Sequence, residues 1–159
     1  MSISKRLETI ADLVTPGYRA SDIGTDHGYV PIYLLRNHIC DHVIAADLSK
    51  GSLEKASHNI TRAGLSECIE CRLSDGLSEI CPGEVDSIII SGMGGILMDR
   101  ILRNGLEVVK AAKELILSPH RNPELIEAFA EEFGFAVVYD EVILDKKKYY
   151  HIYKITINE

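Results

Sequence analysis

No run of apolar residues in this chain approaches the roughly 20 that a membrane-spanning helix needs. The opening MSISKRLETIADLV has the spacing of an amphipathic helix rather than the basic and apolar blocks of a signal peptide, so a cytoplasmic protein is expected. Positive charge is also in deficit: the formal net charge is −7. Binding to nucleic acid over the whole surface is thereby excluded, because such binding rests on Lys and Arg neutralising phosphates, and only a local basic patch remains available. Repeats, low-complexity tracts and linkers are missing too. Four cysteines occur, and Cys68 and Cys71 have the CxxC spacing, but no second pair follows. Residues three apart on a strand point to opposite faces, so the cysteines read as reduced, small apolar residues rather than a redox or metal site. His38, His42, His58, His120 and His151 show no metal-ligand grouping and read as surface or packing residues; no metal is expected.

What is present is ordinary for a globular domain: 159 residues, 46% hydrophobic and 26% charged. This length fits one domain, residues 1–159, with a substantial core. Strand and helix patterns alternate along it. Leu7, Ile10, Ala11 and Val14 share one helical face, ended by Pro16-Gly17. ASDIG is a short strand, followed by a helix from about Tyr29 with Pro31 in its first turn. VIAADLS, Val43 to Ser49, is a second strand, and Ser49 caps a helix that stops at Gly64. CIECRLSD, ending at Asp75, is a third. The uninterrupted apolar run of VDSIIISG suits a central parallel strand covered on both faces. A helix through Ile96, Leu97, Ile101 and Leu102 leads to the fifth strand, ELILSP. Asn122 then caps, and Pro123 opens, a helix closed by Gly134.

The last segment breaks the alternation. AVVYDEVILDKKKYYHIYKITI holds two strand-like runs with too little between them for a crossover helix, so they form an antiparallel hairpin. The expected fold is therefore α/β: a Rossmann-like methyltransferase fold with a mostly parallel seven-stranded sheet, a terminal antiparallel hairpin and flanking helices. That layout favours S-adenosylmethionine over a dinucleotide as ligand.

In such a sheet the ligand sits beyond the C-terminal ends of the strands. Four strand ends supply candidates: Asp22, Gly24, Asp26, His27 and Gly28; Asp47 with its neighbour Leu48; Asp75-Gly76; and Ser91-Gly92-Met93-Gly94-Gly95. Gly24 and Gly28 let backbone approach the amino-acid part of a cofactor. Asp47, about 20 residues past the turn, suits ribose hydroxyls, and Asp75 suits the adenine amino group. The turn DIGTDHGYVP departs from GxGxxG because no pyrophosphate needs cradling. An acid at Asp26 tolerates an ammonium and a sulfonium but would repel a diphosphate. His27 either faces the cofactor or lines the helix start. The Asn-Pro-Pro-aromatic sequence of many exocyclic-amine methyltransferases is missing after the fourth strand. In its place SGMGG makes a tight turn that offers backbone to a flat substrate, or is simply a glycine-rich helix entry.

Taken together, SKRLETIADLV, DIGTDHGYVP, RLSDGL, IIISGMGG and LSPHRN resemble the bacterial tRNA (adenine-22-N1)-methyltransferase family across the whole chain. The resemblance implies S-adenosyl-L-methionine as cofactor, S-adenosyl-L-homocysteine as product and methylation of an adenine ring nitrogen in tRNA. It implies that Arg6 reaches the cofactor carboxylate, that Gly92 and Met93 join the cofactor contacts, and that Gly94, Gly95 and Pro119 lie on the substrate side. Adenine N1 has an available lone pair, so alignment matters more than proton removal. Asp26 would orient the base or stabilise its developing charge, and Tyr29 would stack on the base, face the sulfonium or serve as a core residue. Relatives continue into a helical C-terminal region, whereas this chain ends at Ile157-Asn158-Glu159, so weak tRNA binding is expected unless Lys146, Lys147, Lys148 and Arg121 form a patch; otherwise the lysine run reads as a solvated hairpin tip. Three other readings stay open: a small-molecule or protein methyltransferase, a non-catalytic cofactor-binding module, and, disfavoured by the hairpin, a nicotinamide dehydrogenase.

Overall fold

The computed structural model describes residues 3–157; the four terminal positions included in the single-domain expectation, 1, 2, 158 and 159, lie outside the described residues. Ser4 opens the first helix, α1 (Lys5–Asp12), by accepting a hydrogen bond from the Leu7 amide. The chain continues through β1 (Ala20–Ile23), α2 (Tyr29–Arg36), β2 (Val43–Asp47), α3 (Lys50–Arg62), β3 (Ile69–Leu73), β4 (Ser87–Met93), α4 (Gly95–Asn104), α5 (Leu106–Ala111), β5 (Glu114–Pro119), α6 (Glu124–Phe133), β6 (Ala136–Asp145) and β7 (Lys148–Thr156). The strands form one seven-stranded sheet in the order β3-β2-β1-β4-β5-β7-β6. β1 to β5 are parallel, and β7 runs antiparallel to both β5 and β6. The order reverses between β1 and β4, so the crevice expected to hold a ligand opens beyond the C-terminal ends of those two strands.

Strand periodicity divides the core between the two faces of this sheet. Ile88, Ile90, Leu115 and Leu117 point toward α4, α5 and α6, whereas Ile89 and Ile116 point toward α1, α2 and α3. Both sets are almost fully buried, which is why the sequence of β4 reads as an unbroken apolar run. The end of α1 is fixed to the sheet through the buried Glu114, whose carboxylate accepts from the Thr15 amide at 3.0 Å and the Thr15 hydroxyl at 2.6 Å. Lys154 lies 3.6 Å from that carboxylate and supplies its counter-charge. Among the described residues, no helix is long and apolar enough to cross a membrane.

Three local expectations differ from the structure. β3 stops at Leu73, leaving Ser74 and Asp75 in the following turn. The short α5 was not anticipated from sequence; its six residues carry less than two turns of periodicity. Asn122 does not cap α6. Pro123 occupies the capping position without a side-chain hydrogen bond, Asn122 adopts φ +53°, and its carboxamide donates to Glu124 at 3.1 Å. The reason lies in the preceding backbone: the Arg121 carbonyl is already engaged by α4, which fixes the chain's entry into α6.

Candidate functional site

The turn after β1 places three residues in left-handed conformation within five positions: Gly24 at φ +78°, Asp26 at φ +58° and Gly28 at φ +77°. Only glycine adopts this region without strain, so Asp26 is held there by its surroundings. The Gly24 and Thr25 amides both donate to the Ala46 carbonyl at 2.9 Å, and the Asp26 amide donates to Asp47 Oδ2 at 3.0 Å. Asp47 Oδ1 accepts from the Ser49 amide, also at 3.0 Å. Asp47 thus ties the turn after β1 to the turn after β2, and each of its oxygens keeps lone-pair capacity for a further donor. The Asp26 carboxylate itself is exposed and lies 2.9 Å from His27 Nδ1. The His27 ring stacks on Tyr29, with centroids 5.2 Å apart and planes 12° apart.

Asp22, at the end of β1, is buried, and burial pushes its carboxyl up from 3.8 to about 7. The nearby Thr25 hydroxyl opposes this, while Asp47 and Asp26 add to it. Yet Thr25 Oγ1 does not reach hydrogen-bonding geometry with any partner among the described residues. Arg6 Nη1 is likewise buried without one. The Arg6 backbone amide donates to Asp145 Oδ2 at 3.3 Å, and its guanidinium lies 4.7 Å from the centre of the Tyr150 ring. Arg6, Asp22 and Thr25 line one cavity of about 100 Å³, together with Gly24, Asp26, His27, Tyr29, Ser91 and Gly92. A guanidinium nitrogen lacking an acceptor and a carboxyl lacking a counter-cation, in one small cavity, suit a ligand that carries an anionic and a cationic group on the same carbon. The zwitterionic end of an amino acid has this pattern, and the residues fit the amino-acid portion of S-adenosylmethionine.

A second cavity, about 270 Å³, opens beside the turn after β3 and is lined by Asp75, Gly76, Leu97 and Ile101 among others. It combines an acid with apolar walls, as a nucleobase requires. Leu48 stands 68% exposed next to Asp47. A larger depression of about 380 Å³ lies at the other edge of the sheet, against Ala20 and Val43, where β1 and β2 begin. Parallel topology places ligands at the opposite edge, so that depression is set aside.

The SGMGG segment has divided roles. Gly92 has φ +80° and Gly94 is the N-cap of α4; a Cβ on either would meet open space. Gly95 is buried, and its amide donates to the Arg121 carbonyl at 2.8 Å. A Cβ at Gly95 would lie 2.7 Å from that oxygen and closer still to the Asn122 carbonyl, so glycine here is demanded by packing against the turn before α6. Met93 accepts from the His120 amide at 3.0 Å and pairs in register with the buried Pro119. The demand for glycine at position 28 is conformational: its φ is +77°, whereas a Cβ there would make only an ordinary 3.4 Å contact with Ala56 of α3.

The fold therefore gathers Arg6, Asp22, Gly24, Asp26, His27, Tyr29 and Gly92 around one cavity, and Asp75 with Gly76 around a second. Gly95 and Pro119 sit beneath the surface. Sequence reasoning did not single out Thr25 or Ser91 individually, although both lie inside motifs it did identify. It also missed Tyr150 and the place of His120, whose rings are 5.9 Å apart. Burial holds the His120 imidazole below its ordinary pKa, helped by Arg6, Lys148 and Arg121 nearby. His151, read from sequence as ungrouped, lies with Asp140 and Glu127, the ligand-type atoms of all three within 4.8 Å of one another. His151 bonds Asp140, and Glu127 accepts from Tyr153 at 2.5 Å, so these contacts account for the cluster as a polar chain joining α6 to the hairpin.

Comparison with known proteins bears on this geometry. A family model described as a methyltransferase domain matches residues 3–153. The tRNA (adenine(22)-N(1))-methyltransferase of Bacillus subtilis is 36% identical over 146 residues, covering 92% of this chain; the chain spans 61% of that relative's length. The crystal structure of the B. subtilis tRNA methyltransferase TrmK superposes with a TM-score of 0.94 at 31% identity, covering 99% of this chain and 68% of that one. A Streptococcus pneumoniae protein solved in complex with S-adenosyl-L-methionine gives a TM-score of 0.94 at 34% identity, covering 98% of this chain and 73% of that one.

Proposed function

We propose, from the premise that the chain belongs to the methyltransferase-domain family and, within it, to the tRNA (adenine(22)-N(1))-methyltransferases, that it transfers a methyl group from S-adenosyl-L-methionine to N1 of an adenine in tRNA. By the same kinship the adenine is position 22 and the reaction is cytoplasmic. The observation that carries this reading is the cavity in which buried Arg6 Nη1 and Thr25 Oγ1 lack partners beside the Asp22 carboxyl.

When bound, S-adenosylmethionine supplies an electrophilic methyl group on a sulfonium. Arg6 would bind its carboxylate and Asp22 its ammonium, each meeting a charge that the isolated site leaves unbalanced. Asp47, already fixed by two backbone amides, would accept from the ribose hydroxyls. Asp75 would accept from the adenine amino group, with Leu48, Gly76 and Met93 beside the nucleoside. Gly24, Gly28 and Gly92 supply backbone without obstructing side chains, and His27 braces the turn.

On the substrate side, Asp26 and Tyr29 act by position. N1 of neutral adenine attacks through its own lone pair, so no proton has to be removed first and orientation dominates the barrier. The ring becomes cationic as it is methylated. The exposed Asp26 carboxylate, held by its strained backbone and by Asp47, is preorganised to stabilise that charge. Tyr29, stacked on His27, presents an aromatic face to the base. The open backbone at Gly94 would face the flat ring, with the buried Gly95 and Pro119 supporting the turn from beneath rather than touching the base.

The test is tritium transfer from labelled S-adenosylmethionine to unmodified bacterial tRNA and to the same tRNA with adenine 22 replaced. Incorporation into the first alone supports the proposal. Equal incorporation into both, or none into either by protein that binds S-adenosylhomocysteine, rejects it.

A further inference from the structure

The hairpin extends well past the sheet that supports it. β7 pairs with β5 only from Tyr153 to Thr156, against Leu117 to Glu114. The five preceding pairs, Glu141 with Ile152 through Asp145 with Lys148, are made between β6 and β7 alone. At roughly 3.4 Å per residue, this arm reaches about 17 Å beyond its last contact with β5. Because β7 is antiparallel to β5, the arm projects from the C-terminal edge of the parallel strands, the edge that carries the candidate site.

One face of the arm closes over α1. Ile143 and Tyr150 are opposite each other there, and Tyr150 lies between the Arg6 guanidinium and the His120 ring. The other face is open. Val142, Leu144 and Tyr149 are exposed on it, Tyr149 by 73%. Leu144 and Tyr149 are cross-strand partners, so the exposed phenol lies on this open face next to the tip.

The tip is chemically unusual. Lys146 and Lys147 are the two turn residues, at φ +51° and +68°, where a two-residue hairpin turn favours Asn-Gly. Two adjacent lysines in left-handed backbone concentrate charge where turn propensity favours other residues. Lys148 follows, and Arg6, Arg121 and Lys148 all act on His120, so the basic groups form one field at this edge of a chain with net charge −7. Asp145, whose carboxylate accepts from the Arg6 amide, lies beside them, with Asp140 and Glu141 farther down the same hairpin.

Resting on the function proposed above, we infer that the β6–β7 arm is a grip for single-stranded RNA beside the target adenine: Lys146 and Lys147 neutralise backbone phosphates, and Tyr149 stacks on an unpaired base. A base must leave its stack to expose N1 to a cofactor at the sheet edge, and its neighbours are then available for an exposed aromatic ring. Cationic tip, exposed aromatic ring and proximity to the cofactor edge match those needs in charge, chemistry and place.

The experiment uses the 159-residue chain saturated with S-adenosylhomocysteine and titrates fluorescent unmodified tRNA at several salt concentrations. The double variant Lys146→Asn, Lys147→Gly installs the favoured turn, so its melting temperature stays level or rises. Its tRNA affinity falls about tenfold or more, and the slope of log K against log salt shrinks by about 1.4 to 1.8, two phosphate contacts' worth. Tyr149→Ala weakens binding at least about fivefold with little change in slope, and Tyr149→Phe restores it. Affinity for S-adenosylhomocysteine is unchanged throughout. If the wild-type chain methylates tRNA but the double variant keeps its affinity and slope, the arm inference is overturned and the function proposal stands. Wild-type protein that binds S-adenosylhomocysteine but neither binds nor methylates tRNA overturns both.

Discussion

Replacing Asp22 with Asn removes a buried carboxyl whose ionisation the fold opposes, and the effect on stability should depend on pH in a defined way. The Asp22 carboxyl is raised from 3.8 to about 7, chiefly by burial. A raised acid favours folding while it is protonated in both states. That contribution is complete below pH 3.8 and disappears as pH climbs toward 7, because the unfolded chain ionises first. Stability therefore drops by about 1.4 kcal/mol per pH unit across this window, approaching about 4 kcal/mol in total, and levels off above it. The groups facing Asp22 are Thr25, which opposes the shift, Asp26 and Asp47, which add to it, and Arg6 across the same cavity. Asn does not titrate, so the advantage of Asp22→Asn over the wild type should grow by roughly 2–3 kcal/mol between pH 5 and pH 8. For a domain of this size, that corresponds to about 5–10 °C in the difference between melting temperatures. Calorimetric scans of both proteins at pH 5, 6, 7 and 8 measure it. A melting-temperature difference that stays constant over the series refutes the reasoning, since Asp22 would then titrate like an ordinary carboxyl. In the wild type, affinity for S-adenosylhomocysteine should climb with pH up to about 7 and then level, because an ammonium ligand needs the ionised acid; the variant should bind more weakly and without that climb.

Two further substitutions separate binding from packing. Asp47→Ala removes an acceptor shared by two backbone amides and, in the proposed site, by the ribose; isothermal titration should show S-adenosylhomocysteine affinity falling by about 2–3 kcal/mol, and unaltered affinity would remove Asp47 from the site. Gly95→Ala forces a methyl group against the Arg121 and Asn122 carbonyls, so denaturant unfolding should register a loss of about 3 kcal/mol or more, and a loss under about 1 kcal/mol would mean that the turn before α6 yields easily.

Sequence patterns revealed the sheet because its signals are local. The unbroken VDSIIISG run marks a strand buried on both faces, and the two β-rich runs flanking Asp145-Lys146-Lys147-Lys148 leave no length for a helix. Candidate acids followed from strand direction, since topology alone sends the ends of β1, β2 and β3 to one edge. What escaped depends on contacts between distant segments. The role of Asn122 is set by α4 drawing on the Arg121 carbonyl, and the glycine at position 95 is required by a turn 27 positions later. Arg6 entered the list through family resemblance. Its buried, unpartnered nitrogen becomes visible only once α1 and the hairpin enclose it. The polar chain through Glu127, Tyr153, His151 and Asp140 likewise exists only because β6 and β7 are paired across from α6.

The acidity that argues against a general nucleic-acid surface is, at this edge, compatible with an RNA substrate because charge is sorted by position. Asp22, Asp26 and Asp47 cluster where the sheet changes direction, and their mutual repulsion helps to keep the Asp22 carboxyl protonated in the isolated site. A sulfonium and an ammonium entering there compensate those acids over a few ångströms, within the distance at which salt does not screen them. The basic groups Arg6, Arg121 and Lys148 surround His120 on the hairpin side of the same edge, with Lys146 and Lys147 beyond them at the tip. A polyanion approaching along the arm thus meets lysines before it meets carboxylates. With S-adenosylmethionine bound as proposed, the carboxylates nearest the methyl group would by then be balanced by its own cations. The net charge of −7 consequently describes the chain as a whole, whereas the potential that the proposed substrate would meet is set by the order in which these two groups of side chains occur along this edge.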